Sequence, residues 1–209
     1  MSTPELLVAG FQRFRERHFS TGGAPFQELV QHGQTPKALV VACCDSRVDP
    51  ALVLDCAPGD LFVIRNVANL VPPAENQGHY HGTSAALEFG VRNLGVPHII
   101  VLGHAQCGGI HALLDGGVVG EDSYIAEWMG IAEAARKQVA QDATDSGSKA
   151  QHRACEQQAI LVSLNNLLTF SWIRERVERG ELTLHGWYFD IECGELLGYD
   201  ATTRRFAML

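Results

Sequence analysis

The sequence predicts an α/β fold: a mostly parallel central β-sheet flanked by helices, with a helical arm at the N-terminus and antiparallel strands at the C-terminus. Three observations predict it. Apolar runs at 38–43, 61–65 and 98–102 are too short for core helices and suit strands buried on both faces. Helix-length segments separate those runs, as parallel crossovers require. Two late runs, 182–189 and 193–199, read as a final hairpin that turns near Cys193-Gly194.

Leu6, Leu7, Phe11 and Phe14 repeat at helical spacing, so 4–19 is an expected amphipathic helix with Pro4 near its start. A second short helix is expected over 24–33. Ala38 to Cys43 is the first strand. Pro58-Gly59-Asp60 turns the chain into the strand 61–65, and Gly82-Thr83-Ser84 opens a helix over 82–94 that Gly95 closes. His98 to Leu102 is the third strand, ended by Gly103. Helices are expected at 108–115, 122–141 and 150–179, with a polar surface loop around 141–152. Residues 1–209 are expected to form one domain, residues 1–20 being an arm that packs on a partner subunit.

Composition narrows the function. A net charge of −8 lacks the electrostatic footprint of a nucleic-acid binder, and the one local basic cluster, Arg13, Arg15 and Arg17, lies on the expected first helix. No apolar run approaches the ~20 residues that span a bilayer. Pro4 and Glu5, followed by Arg13 to Arg17, do not make a signal peptide. The expectation is a cytoplasmic protein without nucleic-acid or membrane partners. Six cysteines occur, no two spaced C-x-x-C, which leaves packing, nucleophilic and metal-ligand roles in a reducing compartment.

Ligands of open parallel sheets bind beyond the carboxyl ends of the strands. One such end reads Cys43-Cys44-Asp45-Ser46-Arg47, and another reads Gly103-His104-Ala105-Gln106-Cys107-Gly108-Gly109. Cys43, His104 and Cys107 together offer two thiolates and an imidazole, a three-ligand zinc set that leaves a fourth position open. Cys44, pointing opposite to Cys43, is assigned to the core. Cys56, Cys155 and Cys193 have no chemical partner in the sequence.

Cys43-x-Asp45-Ser46-Arg47 with His104-x-x-Cys107-Gly108-Gly109 resembles the signature of the β-class carbonic anhydrases. The resemblance continues through Arg65-Asn66-Val67-Ala68-Asn69, Val71-Pro72-Pro73, Gly82-Thr83 and Asn165-Asn166-Leu167-Leu168. It implies one Zn²⁺ per chain, reversible hydration of CO₂ to bicarbonate and a proton, and a homodimer or higher homo-oligomer with active sites near the subunit interface. Two other activities fit the same pattern: a zinc hydrolase of this fold acting on CS₂ or COS, and a non-catalytic zinc scaffold. The scaffold would require loss of Asp45, Arg47 or a ligand, and none is lost.

Within that family, Val40 and Ala42 stand where members with a regulatory bicarbonate pocket carry Trp and Gly, so the chain resembles the plant-like, open-site group. By the same resemblance Gln34 donates its amide to substrate, and Phe62, Val67 and Phe89 line an apolar pocket. Phe89 departs from the usual Tyr. Two thiolates cancel the zinc charge, so water is acidified less than at a three-imidazole site. Asp45 is then the expected acceptor for the attacking oxygen's hydrogen, held by Arg47 through a charge-assisted bond. The Gly108 N–H is a second donor toward developing negative charge. His79 and His81 are candidates for relaying the proton to buffer.

Overall fold

The computed structural model describes residues 2–20, 24–75, 81–116, 123–142 and 148–209. Six strands form one sheet in the order β2-β1-β3-β4-β5-β6. β1 (Ala38–Cys43), β2 (Leu61–Asn66), β3 (His98–His104) and β4 (Thr183–Asp190) run parallel, and β5 (Glu195–Asp200) and β6 (Arg205–Met208) close one edge antiparallel. From β1 the chain crosses to β2 on one side and then returns to β3 on the other. The order therefore reverses between β1 and β3, the crevice where open sheets bind ligands.

Every residue of β1 is buried, as a central parallel strand requires. Leu39, Val41, Ile99 and Val101 pack on one sheet face with Leu87, Val91, Ile160, Ile173 and Tyr188. Ala38, Val40, Ala42, Ile100 and Leu102 form a separate cluster. β3 runs two residues further than the sequence suggests. Gly103 pairs with Tyr188 and is a strand residue, not a terminator. A Cβ there would stand 2.7 Å from Ile160 Cδ1, so glycine at this position lets α8 (Ser148–Leu167) lie against the sheet.

α1 (Thr3–Phe19) begins with the Ser2 N–H donating to Glu5, and none of its residues is buried. Leu7 and Phe11 are 71% and 61% exposed. α2 (Ala24–His32) meets it through Phe26, which stacks on Phe19 and lies edge-on to Phe14. α3 (Pro50–Val53), absent from the expected elements, is capped by Asp49, whose carboxylate accepts from the Ala51 and Leu52 N–H groups.

The helix expected over 82–94 is α4 (Gly82–Glu88) followed by a wide π turn at Phe89–Asn93, with the Leu94 N–H reaching back to the Phe89 carbonyl. α5 is Gly108–Leu114. The helix expected over 122–141 is broken into α6 (Tyr124–Met129), a 3₁₀ turn at Gly130–Ala132 and α7 (Glu133–Asp142). The one expected over 150–179 splits into α8 and α9 (Ser171–Glu178), because Thr169 caps the Asn166 carbonyl and Phe170 turns into the core. Part of the expected loop around 141–152 lies outside the described residues.

Candidate active site

Cys43 ends β1, His104 ends β3, and Cys107 caps α5 three residues later, so the strand-order reversal brings the three together. Their ligand atoms all lie within 4.8 Å of one another and all three residues are buried. The two sulfurs are 4.0 Å apart. Two thiolates on one tetrahedral zinc stand about 3.8 Å apart, so the pair is already spaced for the ion. The His104 Nδ1 faces the Ala105 carbonyl at 2.8 Å, which assigns the proton to Nδ1 and leaves the Nε2 lone pair directed at the sulfurs. Among the described residues, that Nε2 is the one buried side-chain polar atom without a hydrogen-bond partner. A buried orphan acceptor is costly and calls for a ligand.

As bare side chains the two sulfurs stand at hydrogen-bonding distance, and either can donate. The hydrogen bond from Cys107, working against burial, pulls Cys43 down to about 4. The same bond, reinforced by burial, holds Cys107 far above the ordinary thiol range. A divalent cation would displace the proton of that bond and satisfy both thiolates.

Asp45 leaves β1 two residues after Cys43, and Arg47 grips it. The Arg47 Nε donates to Oδ1 at 2.9 Å, Nη2 to Oδ2 at 2.7 Å, and the Arg47 backbone N–H to Oδ1 at 2.9 Å. Nη2 also donates to the Gln106 carbonyl at 3.0 Å, tying the two loops together. Arg47 therefore keeps the Asp45 carboxylate well below its usual range, against a smaller opposing effect of burial.

The sequence does not signal the role of Arg65. From the end of β2 it donates to the carbonyls of Cys43 at 2.9 Å and Asp45 at 2.7 Å and pairs with Asp49 at 2.9 Å, bracing the segment that carries the Cys43 thiol and the Asp45 carboxylate. Its charge at the end of an apolar strand, in register with Ala42 of β1, is the available clue. Trp128 is a second such residue: its indole N–H holds the Val67 carbonyl at 2.8 Å.

Val67 packs with Cys43 and Cys107 and opens a turn in which Ala68 and Asn69 have φ of +62° and +50°. Asn66 closes that turn by binding both the N–H and the carbonyl of Leu70. Gly108 opens α5 beside Cys107.

Gln34, Phe62 and Phe89 do not join this group within one chain. Phe62 pairs in register with Leu39, four residues before Cys43 and so about 13 Å away along the strand. Phe89 stacks on Phe62 with ring centroids 5.9 Å apart. Gln34 precedes β1 altogether and is exposed.

Cys44 is exposed and lines a groove of about 890 Å³ with Val67, Thr83 and His81, which corrects its assignment to the core. β1 ends at Cys43, so the in-out alternation no longer governs the next residue. His79 lies outside the described residues. Cys155 is buried and pushed up to about 11 by that burial.

The family model for carbonic anhydrase matches residues 38–196. A carbonic anhydrase of Synechocystis sp. is 39% identical over 203 residues, covering 96% of this chain and 72% of that protein. Beta carbonic anhydrase 3 of Arabidopsis thaliana is 36% identical over 193 residues, covering 91% and 74%. Among solved structures, the β-carbonic anhydrase CcaA matches with a TM-score of 0.93 at 37% identity, over 100% of this chain and 93% of that one. One of two tetrameric β-carbonic anhydrases from Sordaria macrospora matches with a TM-score of 0.74 at 32% identity, over 94% and 93%.

Proposed function

The chain belongs to the β-class carbonic anhydrases, which hydrate carbon dioxide reversibly to bicarbonate and a proton, and we infer that it works with one zinc ion held by Cys43, His104 and Cys107. The observation that carries the site assignment is the partnerless His104 Nε2 facing two buried thiols. Lewis acidity at that point is what the ion contributes: it lowers the pKa of water so that a nucleophile is available near neutrality.

The protein's own groups do the rest. Asp45, ionised and fixed by Arg47, accepts the hydrogen of the attacking oxygen and so aims a lone pair at the CO₂ carbon. Its two oxygens are occupied by Arg47, which favours a free coordination position over an Asp45 ligand. The Gly108 N–H donates to a substrate oxygen as negative charge develops. Val67 supplies part of a dry wall, and His81, on the same groove, can pass the released proton to buffer.

Gln34, Phe62 and Phe89 complete the pocket from a second copy of the chain. Their separation from Cys43 within one chain supports this, as does the bare apolar face of α1, which serves as an arm across the partner. The named relatives include tetramers. Val40 and Ala42 are fully buried in the strand core and supply neither the Trp nor the Gly of the bicarbonate-regulated members, which supports the plant-like group.

Stopped-flow CO₂ hydration with metal analysis tests the site. Cys107→Ala should lose metal and activity together. Asp45→Asn should keep its metal and lose about a hundredfold or more in kcat. Full metal content at the wild-type rate in Cys107→Ala would refute the ligand set, and metal loss in Asp45→Asn would make Asp45 a ligand.

A further inference from the structure

We propose that Glu156 is a positioning residue of the metal centre: lodged behind Cys107, its carboxylate fixes the segment carrying His104 and Cys107 and sets the charge felt by the Cys107 sulfur. The inference rests on Cys107 being a metal ligand.

Glu156 lies on the core face of α8 among Cys155, Ala159, Ile160 and Ser163, and its side chain is 2% exposed. A carboxylate is costly there unless every lone pair is served. Oε1 accepts the Cys107 backbone N–H at 3.0 Å and stands 3.3 Å from His111 Nε2, and Oε2 accepts the Tyr188 hydroxyl at 2.7 Å. The Cys107 N–H and the Tyr188 hydroxyl donate to the carboxylate, and the His111 ring stands against it.

Cys107 is the N-cap of α5. In a capping box the N-cap N–H is held by Glu or Gln three residues on. Here that residue is Ile110, and Glu156 takes its place from another helix, 49 residues away. His111 Nε2 stands 3.3 Å from the oxygen that takes the Cys107 N–H, so its ring is placed to compete for that oxygen and to moderate how much negative charge reaches Cys107. His111 is itself set in place: its ring stacks on His152 with centroids 3.9 Å apart, and His152 Nε2 lies 3.2 Å from Asp115. Outer partners of this kind tune ligand basicity and metal affinity.

The test uses the cobalt(II)-exchanged protein. Glu156→Gln keeps the shape and removes the charge, so its cobalt Kd should weaken about tenfold. Its thiolate-to-cobalt absorption bands should move to higher energy. His111→Ala, at a partly exposed position, should move the bands to lower energy, because Oε1 then serves Cys107 alone. A folded Glu156→Gln with wild-type Kd and bands overturns the proposal. If Glu156→Gln does not fold, unmoved bands in His111→Ala overturn it. A wild-type protein that takes up no cobalt would overturn the metal site and this proposal together, whereas wild-type uptake with unmoved variants defeats this proposal alone.

Discussion

Asp45 and Arg47 form a two-pronged ion pair, Nε on one carboxylate oxygen at 2.9 Å and Nη2 on the other at 2.7 Å, two residues beyond Cys43. The pair has a second anchor, because the same Nη2 reaches the Gln106 carbonyl between His104 and Cys107. The Asp45 carboxylate and the proposed metal ligands are thus held in one frame, with Arg65 bracing its floor.

Removing the guanidinium should release Asp45 toward its ordinary value of about 3.9. The native carboxylate lies below that value, so the pair stabilises the fold above about pH 4 and loses its contribution as pH falls through the depressed native value. Denaturant titrations of wild type and Arg47→Ala should therefore differ at pH 7 and converge in strong acid. A difference that grows on acidification would contradict the pairing. Activity of Arg47→Ala should fall with metal content intact.

Gln34 and Asp45 should complement between chains. Mixing Gln34→Ala with Asp45→Asn subunits and allowing exchange gives hybrid dimers with one intact and one doubly altered site. About a quarter of wild-type activity should return in a symmetric dimer. No recovery after confirmed exchange would place Gln34 in its own chain's site, against the strand geometry.

Gly103→Ala should destabilise the fold by ~1–3 kcal/mol through overpacking, since the new methyl meets Ile160 Cδ1 at 2.7 Å and Cγ1 at 2.8 Å. His104 follows directly, so metal affinity should fall as well. An unchanged urea midpoint would show that α8 yields freely, and the close-approach argument would fail.

Much of this architecture is legible in residue order. Apolar runs locate β1, β2 and β3, and the rule for ligand sites in parallel sheets is enough to single out the two segments that carry Cys43, Asp45, His104 and Cys107. β6, only four residues long, falls below pattern recognition, and α3 is equally short, although Asp49-Pro50 holds its cap signal. The π turn at Phe89 has no local signal; Gly90 within it lies close against Leu39, an approach between distant residues that residue order does not show. Glu156 is invisible for a similar reason: its three partners come from α5, its N-cap and β4, and only packing brings them to one carboxylate.

The buried Val40 and Ala42 predict a pH–rate profile that rises smoothly and is indifferent to bicarbonate as an effector. On the proposed plant-like reading no pocket distinguishes an Asp-ligated state, and bicarbonate then has nothing with which to shift the population toward it. Steep cooperative inactivation below about pH 8, deepened by bicarbonate, would place the enzyme in the switching group instead.

The most direct test of the whole account is zinc K-edge X-ray absorption on the purified protein. The prediction is one zinc per chain with two sulfurs at about 2.3 Å, one imidazole nitrogen at about 2.0–2.1 Å and one further light-atom donor. A shell with no sulfur, or with three sulfurs, would contradict the assignment of Cys43, His104 and Cys107 as the centre on which this enzyme works.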